Sequence, residues 1–141
     1  MAEIVVRVTY HEHIKDIPDI RNLALSFKSY KSGNGLPDNF GRDAAYDHPD
    51  TPQVVKDNLW HIHLAPSDRP FNRGMSQDRR TNRIGDAERD RILVYTKGYY
   101  DENAYMLMAI LEPNGHELQR DHLNVMIPLA EKAAADFRDK Y

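Results

Sequence analysis

Leu59-Trp60-His61-Ile62-His63-Leu64-Ala65 is the stretch from which the rest of the chain is read. With a period of two, it places Trp60, Ile62 and Leu64 on one side and His61 and His63 on the other. That is a strand with an apolar face and an imidazole face. The apolar face needs cover, so the strand belongs to a sheet packed on that side. The imidazole face is left to meet solvent or a ligand, and its rings titrate near neutral pH.

Outward from this strand, the pattern gives a mixed chain. Ile4, Val6 and Val8 alternate with Val5, Arg7 and Thr9 in a first strand over residues 3–10. Ile20, Leu23/Ala24, Phe27 and Tyr30/Lys31 repeat at helical spacing, with Pro18 in the first turn and Ser32-Gly33-Asn34-Gly35 as the stop. Residues 36–43 read as a turn-rich segment and Ala44-Ala45-Tyr46-Asp47 as a helical turn. A short helix is expected from Pro52 to Asn58, and a long polar loop over residues 66–90. Ile92–Thr96 and Ala104–Leu111 read as strands joined by a hairpin, the second apolar on both faces and therefore central. A last helical pattern covers residues 118–137, with Pro128 expected to kink or split it. Trp60, Phe40 and Phe137 are assigned to the core. Strands in a run rather than in strict alternation predict an α+β fold: one small, mostly antiparallel sheet with helices packed on one face.

Composition narrows the function. The 141 residues suit a single domain, 1–141, and no apolar run reaches the roughly 20 residues that cross a bilayer. The N-terminal stretch lacks the pattern of a secretion signal and cysteine is absent, so a cytoplasmic protein is expected, with no thiolate chemistry and no membrane partner. Net charge is -3, so any hold on nucleic acid has to come from a local patch. One candidate is residues 69–91, with seven arginines against Asp78, Asp86, Glu88 and Asp90.

Several segments, taken in order, resemble the YafO family of type II toxins. They are Ser29-Tyr30-Lys31, Leu36-Pro37-Asp38, Phe40-Gly41-Arg42-Asp43-Ala44, His61-Ile62-His63-Leu64-Ala65, Arg80-Thr81-Asn82, Leu93-Val94-Tyr95, Asp101-Glu102, Ala109-Ile110-Leu111, the His116/Arg120-Asp121 region, Ala130-Glu131 and Phe137-Arg138. The resemblance implies a fold of the RelE/ParE group. It also implies an mRNA interferase that cuts translated mRNA on the ribosome and is held inactive by a cognate antitoxin.

Metal-free RNA cleavage needs a base for the 2′-hydroxyl, an acid for the leaving 5′-oxygen and a cation beside phosphorus. Histidine suits the first two roles, and side chains two apart on a strand lie about 6.6–6.8 Å apart, enough to flank a phosphate. The expected catalytic set is His61, His63, Arg80, Tyr95 and His116, with Tyr95 as a base-stacking residue and Arg80 as a phosphate fork. RNA contacts are expected from Arg42, Arg79, Thr81, Asn82 and Arg83, although an Arg42–Asp43 salt bridge anchoring the turn is equally compatible. No cofactor is required. Two other readings stay open. One is a metal-dependent hydrolase in which His116 or Asp43 completes a site with His61 and His63. The other is a non-catalytic domain that only binds a partner.

Overall fold

The computed structural model describes residues 4–66, 68–82 and 85–141. Five strands form one sheet: β1 (Arg7–Tyr10), β2 (Phe40–Ala45), β3 (Trp60–Leu64), β4 (Arg91–Lys97) and β5 (Ala104–Leu111), in the order β1-β5-β4-β3-β2. Every neighbouring pair is antiparallel except β1 with β5, so the α+β class and the mostly antiparallel sheet hold. The register sets Trp60 against Tyr95, His61 against Val94 and His63 against Ile92.

The helices are not confined to one face. Helix α1 (Ile20–Lys31) lays Ile20, Ala24 and Phe27 on the face that carries Phe40, Ile62, Leu64, Leu93, Tyr95 and Leu107. The opposite face carries Ile92, Val94, Met108 and Leu111. It is covered by Val55 of helix α2 (Gln53–Asn58), by Leu59, by Met126, and by Leu129, Ala130 and Ala133 of helix α4 (Ile127–Ala133). The reason lies in the two central strands. β4 and β5 are apolar on both sides, and each face left bare would forfeit about 1.5–3 kcal/mol per large side chain.

Local chemistry explains three departures from the expected elements. Phe40–Ala45 is a strand rather than a turn and helical turn, because pairing with β3 overrides its Gly, Asp and Arg content. α1 begins at Ile20, with Asp19 in the left-handed region at φ 62°, so Pro18 lies outside it. The C-terminal helix is interrupted at Asp121, where ψ is 79°, and not at Pro128, which sits in the first turn of α4 where a missing N–H costs little. Before the break, helix α3 spans Gly115–Arg120; after it, π-type turns at His122–Met126 and Ala134–Arg138 flank α4. Among the described residues, no helix is long and apolar enough to cross a membrane.

Candidate functional site

On β3, Ile62 points into the α1 core, so His61 and His63 point to the second face. There the helical cover of α2 and α4 gives way to α3 and the segment that follows β2. The result is a cleft of about 280 Å³ lined by Arg42, Tyr46, His48, Thr51, His61, His63, His116 and Gln119. The imidazole face is therefore a walled recess and not the open sheet face expected from the strand pattern. His63 is only 5% exposed.

Three rings meet in the recess. The centroids of His61 and His63 are 5.7 Å apart, and those of His63 and His116 are 5.5 Å apart. Tyr46 stacks on His61 at 4.2 Å. His116 enters because α3 docks closely on the start of β4. Gly115 N–H donates to the Asp90 carbonyl at 2.7 Å, and a Cβ on Gly115 would stand 2.9 Å from Ile92 and 3.0 Å from that carbonyl. Buried Asp90 then accepts twice from His116, from its backbone N–H at 3.1 Å and from ring Nδ1 at 2.7 Å. A carboxylate only accepts, so the His116 proton sits on Nδ1 and its Nε2 lone pair is left over. His63 Nδ1 accepts a long 3.4 Å hydrogen bond from the Asn82 backbone N–H, which places the proton of the neutral ring on Nε2.

Burial, then the neighbouring His63, lowers His61 to about 4; burial, then His116, lowers His63 to about 4. Both rings are thus neutral near pH 7. Burial raises the Tyr46 hydroxyl pKa and keeps it protonated. Among the described residues, the buried side-chain atoms without a hydrogen-bond partner are Tyr46 Oη, His61 Nδ1, Gln119 Oε1 and His122 Nδ1. All four belong to this cleft or to the recess adjoining it. Each of these groups calls for a partner that the chain itself does not supply, water or a ligand.

The other expected site residues divide. Arg42 is exposed and lines the cleft from β2, so it reaches the imidazoles as a strand residue and not from a turn. Its neighbour Asp43 faces the other way and pairs with Lys31 at 2.8 Å, which removes both the Arg42–Asp43 bridge and Asp43 as a fellow ligand of the histidines. Arg80 is corrected outright. It is 4% exposed, and its guanidinium donates to the carbonyls of Met75, Pro37, Phe40 and Arg73, so the fork that was to hold phosphate holds the loop instead. Tyr95 is also corrected. It lies in the α1 core, 3% exposed, with its hydroxyl donating to Asp43 at 2.6 Å, and no base can stack there.

Arg79 is exposed on the 3-10 turn Gln77–Arg79 and does not line the cleft. Thr81 and Asn82 border a separate hollow with Arg69, Phe71 and Arg89. Arg83 lies outside the described residues. Three arginines of the basic loop are paired, Arg73 with Asp38, Arg89 with Asp86 and Arg91 with Glu112. Among the described residues, no group of three His, Cys, Asp or Glu side chains is arranged to hold a metal ion.

Sequence reasoning missed Tyr46, Asp90, Gln119 and His122. Tyr46 was reachable: once residues 40–45 are a strand, Arg42, Ala44 and Tyr46 fall on one side by alternation. Asp90 and Gln119 carry no local signal, since only the docking of α3 on β4 brings them in.

Comparison with known proteins agrees with the resemblance. The family model described as "Toxin YafO, type II toxin-antitoxin system" matches residues 28–139. The chain is 42% identical over 120 residues to the mRNA interferase toxin YafO of Escherichia coli (strain K12), covering 84% of this chain and 85% of that protein. No solved structure matches. With the match spanning most of the chain, including every residue of the imidazole cleft, the protein belongs to the YafO family of type II toxin–antitoxin toxins.

Proposed function

We propose that the protein is an mRNA interferase, an endoribonuclease that cuts translated mRNA on the ribosome by metal-independent acid–base chemistry and is silenced by a cognate antitoxin. The observation that carries the reading is the contact cluster of three imidazoles, one of them oriented by a buried carboxylate, with an exposed arginine on the same cleft.

The roles follow from the settings of the rings. His116, its Nδ1–H held by Asp90, has Nε2 available to take the 2′-hydroxyl proton, and Asp90 stabilises the imidazolium that results. The 2′-oxygen then bonds to phosphorus, the bond to the 5′-oxygen breaks, and a 2′,3′-cyclic phosphate is left. His63, protonated in the complex and released from its long hydrogen bond with Asn82, gives its Nε2 proton to the leaving 5′-oxygen. In the free protein, burial holds both His61 and His63 neutral, together with the repulsion of His63 on His61 and of His116 on His63. A phosphodiester anion lodged beside them offsets that repulsion, so the protonated ring forms in the complex. Arg42 supplies the fixed positive charge beside phosphorus. The ribosome contributes by positioning the strand, which fits a chain of negative net charge.

The test is an in vitro translation reaction with primer extension on the mRNA, in the presence of chelator. His116→Ala and His63→Ala should each lower cleavage by roughly 10²–10⁴-fold. Cleavage at wild-type rates by the His61→Ala/His63→Ala/His116→Ala protein would refute the assignment.

A further inference from the structure

Beside the imidazole cleft, and sharing Tyr46, His48, Thr51 and Gln119 with it, lies a second recess of about 390 Å³ closed by Asp50, Arg120 and His122. Three of the four residues that carry an unsatisfied buried polar atom line it: Tyr46 (Oη), Gln119 (Oε1) and His122 (Nδ1). We propose that this recess is the base-binding subsite next to the scissile phosphate, and that it takes a nucleobase bearing an exocyclic amine.

The chemistry of the orphaned atoms selects the ligand. Gln119 Oε1 can only accept a hydrogen bond, and an imidazole nitrogen accepts in one of its two tautomers. Two acceptors on one wall repel an anion, so the recess is unsuited to phosphate, and its charged residues Asp50 and Arg120 are of opposite sign. An amino group offers two hydrogens to such a pair. Gln119 and His122 are three residues apart on either side of the break at Asp121, which turns both toward the same recess. The Tyr46 hydroxyl can donate to a ring nitrogen or accept from a further N–H. A glutamine amide reading the edge of an amine-bearing base is a recurrent pairing in nucleic-acid recognition. RNA bases free of a duplex are read in this way, on their hydrogen-bonding edges.

The placement also fits a nucleotide. Tyr46 stacks on His61, so the residue that lines the recess also holds a ring of the cleft. A base in the recess therefore fixes its own phosphate against the imidazoles, and removing the base contact loosens the phosphate too. This inference rests on the acid–base reading of the cleft, but its test does not depend on cleavage.

The experiment is titration of the intact protein with AMP, CMP, GMP and UMP, followed by NMR of the histidine and tyrosine rings. The three amine-bearing nucleotides should shift His122 and Tyr46 signals and bind more tightly than UMP. Gln119→Leu and Tyr46→Phe should each weaken that binding about 3–10-fold, the scale of one lost hydrogen bond. Tyr46→Phe removes a single oxygen and keeps the stack, so it serves where the larger change disturbs folding. Equal binding of all four nucleotides, or shifts confined to His61, His63 and His116, would overturn the subsite. In the translation assay, Gln119→Leu and Tyr46→Phe should redistribute the cleaved positions, and an unchanged pattern would count against it. Selective nucleotide binding by a protein that never cuts mRNA would leave the subsite standing and remove the nuclease.

Discussion

His116 shows how much of a site depends on one residue's surroundings. On its own it is a histidine after Pro113-Asn114-Gly115, in the first turn of a short helix. With Asp90 beneath it, it has an assigned tautomer and a fixed ring plane. Asp90→Asn keeps the size and loses the second charged acceptor, so the ring is free to turn and to change tautomer. Cleavage by Asp90→Asn should fall about 10–100-fold with the circular dichroism unchanged, in line with the loss of other carboxylate partners of histidine. Wild-type cleavage would mean that His116 needs no orientation. Arg80 is the opposite case. A guanidinium that looks suited to phosphate is buried and used up on four backbone carbonyls, those of Arg73 and Met75 in the loop and of Pro37 and Phe40 where the chain enters β2.

Among the elements, β2 decides whether the cleft exists at all. It carries Arg42 toward the imidazoles and Asp43 toward α1, and it leads into Tyr46, which also lines the cleft. Asp43 there receives hydrogen bonds from Tyr30, Lys31 and Tyr95, and the Lys31 ammonium lies 4.9–5.6 Å from the rings of Phe27, Tyr30, Tyr95 and Tyr105. This polar knot fastens α1 to the sheet. The strand is pinned from the loop side at Gly41. A Cβ there would stand 2.2 Å from the Arg80 carbonyl, which also accepts from Arg42 N–H at 2.9 Å. Gly41→Ala has to push the Arg80 loop outward, so we expect a loss of about 1–3 kcal/mol of stability. It would be read as a lower urea midpoint with unchanged slope. An unshifted midpoint would show that the loop yields freely.

Over the whole molecule, the sheet is covered on both faces, and the cleft opens where the second cover stops. That placement takes ionisable rings out of water, and it makes stability depend on pH. His61 and His63 titrate near 6.5 when unfolded and at about 4 when folded. As pH falls, the unfolded chain takes up protons first. Stability is therefore complete above about pH 6.5, declines as pH drops toward 4, and the loss levels off below that. The loss is on the order of 1–3 kcal/mol per ring. Urea unfolding at about pH 7.5, 6 and 5 should show the decline, and the His61→Asn/His63→Asn protein should show a flatter one. Equal slopes in the two proteins would mean that the rings are solvated.

By itself, the sequence determined the α+β class, the helix α1, the alternation that sets His61 and His63 apart from Ile62, the central position of β5 and the family. These are legible because periodicity and the order of segments are local properties of the chain. Only the tertiary structure decided that helices cover both faces, that residues 40–45 form a strand, that Tyr95 and Arg80 are structural, and that Tyr46, Asp90, Gln119 and His116 gather around the two histidines. The physical reason is the same in each case. Which face of a strand is buried, and which partner satisfies a buried polar atom, depend on residues far away in the chain, and no local pattern records them.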